Sequence, residues 1–125
     1  MAIFTHPTFL GAPDHRIAVY DFPGADPAFI LMHGFPDHAF IYDRLISALA
    51  GHHRVAFDFR GWGNSDKPSP ADATSSGQEL DLATVVAALH LTSPILVAHD
   101  ASGPVVLNWA LAHPPFVGGN ALRNT

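Results

Sequence analysis

The chain predicts an α/β fold: a mostly parallel sheet with helices on both faces. Three observations carry this. Short runs rich in apolar and β-branched residues, at Ala28 to His33, Arg54 to Phe59 and Ile95 to Ala98, have the composition of strands buried on two sides. Between them lie stretches whose apolar residues recur at helical spacing. Strand and helix alternate, which implies right-handed crossovers and parallel pairing. At 125 residues the limit is a single domain over 1–125, large enough for a real core.

In chain order, Arg16 to Phe22 reads as an early strand ended by the turn Pro23-Gly24-Ala25-Asp26-Pro27. Ala28 to His33 is the second strand, followed by the loop Gly34-Phe35-Pro36-Asp37. Phe40, Leu45, Ile46 and Leu49 mark a helix that ends near Gly51. Arg54 to Phe59 is the third strand, and the glycine-rich turn Arg60 to Ser65 and a loop with Pro68 and Pro70 follow it. Leu82, Val85, Val86 and Leu89 place a helix over Gln78 to His90. After the strand at Ile95, a helix runs from about Ser102 to His113 and stops at Pro114-Pro115. Val117 to Thr125 stands where a further buried strand belongs but is interrupted by polar and flexible residues. It is either a solvated edge or no strand at all.

Composition narrows the function classes. With 48% hydrophobic and 14% charged residues and a net charge of −5, the chain has no basic patch to hold nucleic acid or an anionic membrane. Cysteine is absent, which rules out disulfides and thiolate metal sites. The start lacks a charged segment followed by an apolar one, and no run reaches membrane-spanning length, so a cytoplasmic location is expected.

The chemistry gathers at Val97-Ala98-His99-Asp100-Ala101-Ser102-Gly103-Pro104. The spacing small-x-acid-x-small-small fits a nucleophile elbow in which aspartate replaces the usual serine. Small neighbours are needed where strand and helix close on each other beside a strained residue. The turn pushes Asp100 into the pocket above the sheet, where free amides and the positive helix end favour a negative charge. Ser102 fails as the nucleophile, because its flanking small positions would be Asp100 and Pro104. The competing reading is an aspartate that only caps the following helix, a role worth about 1 kcal/mol. His33, Asp58 and Asp100 all fall at carboxyl ends of strands, where ligands bind in such sheets.

Three stretches, His33 to Asp37 (HGFPD), Asp58 to Pro68 (DFRGWGNSDKP) and Val97 to Pro104 (VAHDASGP), in this order resemble the first half of the α/β-hydrolase fold. The resemblance is to its haloalkane dehalogenase and epoxide hydrolase branch and runs from about residue 13 onward. It implies that Asp100 displaces halide or opens an epoxide, forming an alkyl-enzyme ester that a histidine-activated water hydrolyses. The backbone N–H groups of Phe35 and Ala101 would hold the oxyanion. Serine would leave an ether on a saturated carbon, whereas a carboxylate leaves a hydrolysable ester. The implied substrate is a small apolar organic molecule, with no cofactor and no metal.

The chain also departs from that branch. Ala101 stands where many members carry a halide-supporting tryptophan, and Phe35 where many dehalogenases carry asparagine. Ala101 and Pro104 stand where fluoroacetate dehalogenase relatives carry arginine, which argues against a haloacid. Haloalkane and epoxide both stay open. His33, Gly34, Pro36, His99 and Trp62 are pocket candidates, although His33 and His99 most often serve as framework in this fold and Trp62 also suits packing beneath its loop. Asp58 and Arg60 resemble the family's structural loop. His52-His53 reads as a solvated turn with no third ligand at metal-site spacing, and His15 and His113 carry no pattern.

The family's order is nucleophile, acid, then histidine. Only 25 residues follow Asp100, and their one histidine, His113, falls late on a helix. The chain therefore reads as an amino-terminal half with about six of eight strands, lacking the cap, the C-terminal strands and the general base. The alternative is a non-catalytic truncated domain that needs a partner chain. An exposed sheet edge would favour self-association.

Overall fold

A computed structural model describes residues 6–11, 16–67, 74–114 and 117–123. Six strands form one sheet: β1 (Thr8–Gly11), β2 (Arg16–Phe22), β3 (Ala25–Met32), β4 (His52–Phe57), β5 (Ile95–His99) and β6 (Gly119–Arg123). Their spatial order is β1-β2-β4-β3-β5-β6. The β3–β4, β3–β5 and β5–β6 pairs are parallel, whereas β1–β2 and β2–β4 are antiparallel. The predicted mostly parallel sheet is thus present, with an antiparallel flank at its amino-terminal edge.

Side chains that alternate along each strand build two cores. Ile30, Met32, Val55, Phe57, Leu96 and Ala98 face α2 (Ser75–Ala88) and α3 (Ser102–Ala112), meeting Leu82, Val85, Val105, Val106 and Trp109. Leu31 and Ala56 face the other way, against Tyr42 and Ile46 of a 3-10 turn (Ala39–Tyr42) and α1 (Asp43–Ala48). Helices therefore cover both faces. The Tyr42 hydroxyl, buried among these groups, donates to the Met32 carbonyl at 2.6 Å.

Several boundaries differ from the sequence reading. β1 is a short edge strand that pairs with β2 from Thr8↔Val19 to Gly11↔Arg16, too brief to carry a periodic signal. The turn after β2 shrinks to Pro23-Gly24, because Gly24 lies against the Gly51 and His52 backbone where a Cβ would not fit. β3 accordingly starts at Ala25, and a register irregularity between Ala25 and Phe29 accommodates Pro27. His52 and His53 belong to β4 and not to a solvated turn: His53 Nε2 lies 2.6 Å from Asp21 Oδ1, and the His52 ring stacks on Phe29. α2 begins at Ser75, since Thr74 Oγ1 accepts the Gly77 N–H at 3.1 Å and caps the helix. Of the two alternatives for the last segment, the structure takes the edge strand: β6 is mostly exposed, and its backbone still pairs with β5. His15 and the Pro68 and Pro70 loop lie outside the described residues. Among the described residues no helix is long and apolar enough to cross a membrane.

Candidate active site

β3, β4 and β5 deliver His33, Asp58 and Asp100 just past their carboxyl ends. Asp100 has φ +53, a left-handed conformation that an L residue adopts only under local constraint. The constraint is visible on both sides. Its N–H donates to the Arg123 carbonyl at 3.0 Å, and its own carbonyl accepts the Gly103 N–H at 3.1 Å. Ser102 Oγ accepts the His99 N–H at 2.9 Å and sits 2.9 Å from the His99 and 3.1 Å from the Met32 carbonyl oxygens. That buried hydroxyl ties the ends of β3 and β5 together and is engaged as framework.

Opposite the turn stands the Gly34-Phe35 backbone. A Cβ on Gly34 would come within 2.6 Å of both Asp100 Cβ and the His99 carbonyl oxygen, so only glycine allows this approach. The closeness brings the Phe35 N–H to Asp100 Oδ2, at 3.2 Å. Oδ1 has no hydrogen-bond partner among the described residues, and the side chain is only half-buried. The two oxygens of one carboxylate are thereby distinguished.

Beside this pair lies a hollow of about 240 Å³ bounded by His33, Gly34, Phe35, Trp62, Gln78, Ala101 and Ser102. Asp100 does not itself bound the hollow; it is held against Gly34 and Phe35 and followed by Ala101, which do. The Phe35 ring, 65% exposed, meets Trp62 edge-on at 5.4 Å. Pro36 is outside the lining, joined to Phe35 by a cis peptide bond. His99 bounds a different hollow of about 400 Å³, with Tyr42, Val97 and Arg123. His113 bounds a third, with His90 and Trp109, between α2 and α3. Among the described residues no group of three metal-ligating side chains comes together.

His33 is held by both ring nitrogens. Its Nδ1–H donates to the Gly34 carbonyl at 2.9 Å, and Nε2 accepts the Phe59 N–H at 3.1 Å. Since Nε2 must be an acceptor, the ring is neutral, and burial pushes its pKa below the ordinary 6.5. Asp58 is likewise structural, its Oδ1 accepting the Ala39 N–H at 2.7 Å and Oδ2 the Asn64 N–H at 2.9 Å. Arg60 runs into a buried ion pair with Asp81 of α2, Nη2 to Oδ1 at 3.0 Å. Sequence reasoning missed Asp81 and Gln78. A lone polar residue in a helix carries no signal until the sheet decides which side of the helix is covered.

Fold and geometry define an α/β protein with a carboxylate poised on a left-handed strand-to-helix turn. The family described as alpha/beta hydrolase fold matches residues 27–125, and the chain belongs to that family. It is 37% identical over 94 residues to an epoxide hydrolase of Caballeronia sordidicola, covering 73% of this chain and 29% of that protein. It is 36% identical over 107 residues to bifunctional epoxide hydrolase 2 of Rattus norvegicus, covering 82% and 19%. Among solved structures it superposes on the haloalkane dehalogenase DatA of Agrobacterium tumefaciens C58 with a TM-score of 0.84 and 25% identity, covering 93% of this chain and 40% of that one. The chain thus spans less than a third of the length of these two curated relatives.

Proposed function

We propose that Asp100 is the nucleophile of a hydrolase that opens epoxides or displaces halide from haloalkanes through an alkyl-enzyme ester. One observation carries this reading: the Phe35 amide holds Oδ2 at 3.2 Å while Oδ1 is left without a partner among the described residues. Oδ1 then attacks saturated carbon. An Oδ1–C bond forms, and the C–Br bond of a bromoalkane or a C–O bond of an epoxide breaks, its electron pair leaving with the bromide or the ring oxygen. Oδ2 becomes the ester carbonyl oxygen. The Phe35 N–H that meets it at 3.2 Å supports this reading, in which the amides of Phe35 and Ala101 form the oxyanion hole that stabilises the anion made when water attacks the ester. The names of the relatives support the same substrate classes.

Water attack needs a general base. His33, the imidazole that bounds this hollow, has both nitrogens engaged, and His99 bounds a different one. The expected behaviour of this chain is therefore one alkylation without turnover. Exposure to a reactive bromoalkane should add a single alkyl group by intact mass, mapped to Asp100 by peptide sequencing and absent from Asp100→Asn. An unlabelled protein, or a label on another residue, rejects the assignment.

A further inference from the structure

Two polar side chains at the hollow are already spent: His33 uses both nitrogens, and the Ser102 hydroxyl bridges β3 and β5. Gln78 is different. It stands in the first turns of α2 and is half-buried, and its backbone N–H is satisfied by the Thr74 carbonyl at 2.9 Å. Its side-chain amide has no hydrogen-bond partner among the described residues, and Gln78 bounds the same hollow as Phe35 and Ala101, which flank Asp100. Among the described residues the other uncommitted side-chain donor at the hollow is the Trp62 indole, whose ring is fixed edge-on against both Phe35 at 5.4 Å and His33 at 6.4 Å. A glutamine amide on its flexible stem can follow a moving atom, and a ring locked by two others cannot.

We infer that Gln78 is a substrate-contacting residue that donates a side-chain N–H to the oxygen of an epoxide as the ring opens, which makes epoxides the favoured electrophiles of this cleft. The inference rests on Asp100 being the nucleophile. As the Oδ1–C bond forms and the ring C–O bond breaks, the electron pair goes to oxygen, which takes the Gln78 hydrogen bond and then a proton from water. Bromide, a far weaker base than an alkoxide, needs no proton and gains less from one such hydrogen bond. The remaining walls, Phe35 and Trp62, suit an apolar or aromatic substituent, while Ala101 brings no donor from its side chain.

The test is the rate of covalent labelling by an aryl-substituted epoxide and by a bromoalkane, followed by intact mass. Gln78→Leu should slow labelling by the epoxide roughly three- to tenfold, the loss of one hydrogen bond, and leave bromoalkane labelling within about twofold. Gln78→Met, with the same unbranched length, should repeat the pattern, and melting curves confirm that both fold. Trp62→Phe should affect the two electrophiles alike. Equal rates for wild type and both Gln78 variants, or an epoxide-specific loss in Trp62→Phe instead, overturn the role of Gln78 while leaving Asp100 in place. Wild type that labels with neither reagent overturns both.

Discussion

At the scale of single residues, the account turns on how close Gly34 and Asp100 lie. The backbone at Asp100, φ +53, costs an L residue about 1 kcal/mol or more, and the chain tolerates it because Ser102, Gly103 and Arg123 pin the turn from three sides. Gly34→Ala would place a methyl group 2.6 Å from Asp100 Cβ. Either the turn or the Phe35 loop must then move. The expected outcome is about 1 to 3 kcal/mol lost in denaturant unfolding, together with loss of Asp100 labelling. This part of the site was legible in the sequence because crowding leaves a written trace: small residues on both sides of one acid, and a glycine after the β3 histidine. Gln78 left no such trace. Its significance comes from the fold, which sets this residue of α2 beside a hollow built by residues more than a dozen positions away.

At the scale of elements, buried polar groups decide how the turns after β3 and β4 are held. The Arg60 side chain is 4% and Asp81 0% exposed, so removing one partner strands a buried charge. Arg60→Met should cost about 3 to 5 kcal/mol, measured by chemical denaturation, and the double variant Arg60→Met/Asp81→Leu should recover part of that loss. His33 gives a pH signature. Its folded pKa is lowered by burial from 6.5, so the unfolded chain binds the proton more readily. Its contribution is complete above the unfolded value and is lost as pH falls through about 6.5 toward the lower folded pKa. Melting temperature followed from about pH 8 down to about pH 5 should fall more steeply in wild type than in His33→Asn, which starts lower. Equal slopes would mean that His33 is not held neutral. The long strands and the helices over Gln78 to His90 and Ser102 to His113 were readable because their apolar periods run over many residues. β1 and the His52-His53 start of β4 were not, since backbone pairing and a single hydrogen bond between His53 and Asp21 define them.

At the scale of the molecule, the sheet ends in β1 on one side and β6 on the other. β6 is mostly exposed, and Leu122 on it, like Leu107 and Leu111 on α3, meets solvent. We propose that this edge makes the isolated chain self-associate. Sedimentation should show association that grows with concentration and weakens in Leu122→Lys, where an edge charge opposes strand pairing. A monomer at all concentrations would reject this. Apolar strand composition and motif order revealed the sheet, its two covered faces and the strand ends at which His33, Asp58 and Asp100 lie; the antiparallel flank was hidden, because the sign of a strand's pairing depends on partners distant in sequence.

The central claim is that one oxygen of Asp100 is held by an amide so that the other can bond to carbon. A crystal structure of the chain after reaction with a bromoalkane tests it most directly. The account predicts an ester on Asp100, with its carbonyl oxygen on the Phe35 N–H and its alkyl group on the opposite oxygen, extending into the hollow beside Trp62 and Gln78. An alkyl group on another residue, or an Asp100 carboxylate swung away from Phe35 with no adduct, would contradict it.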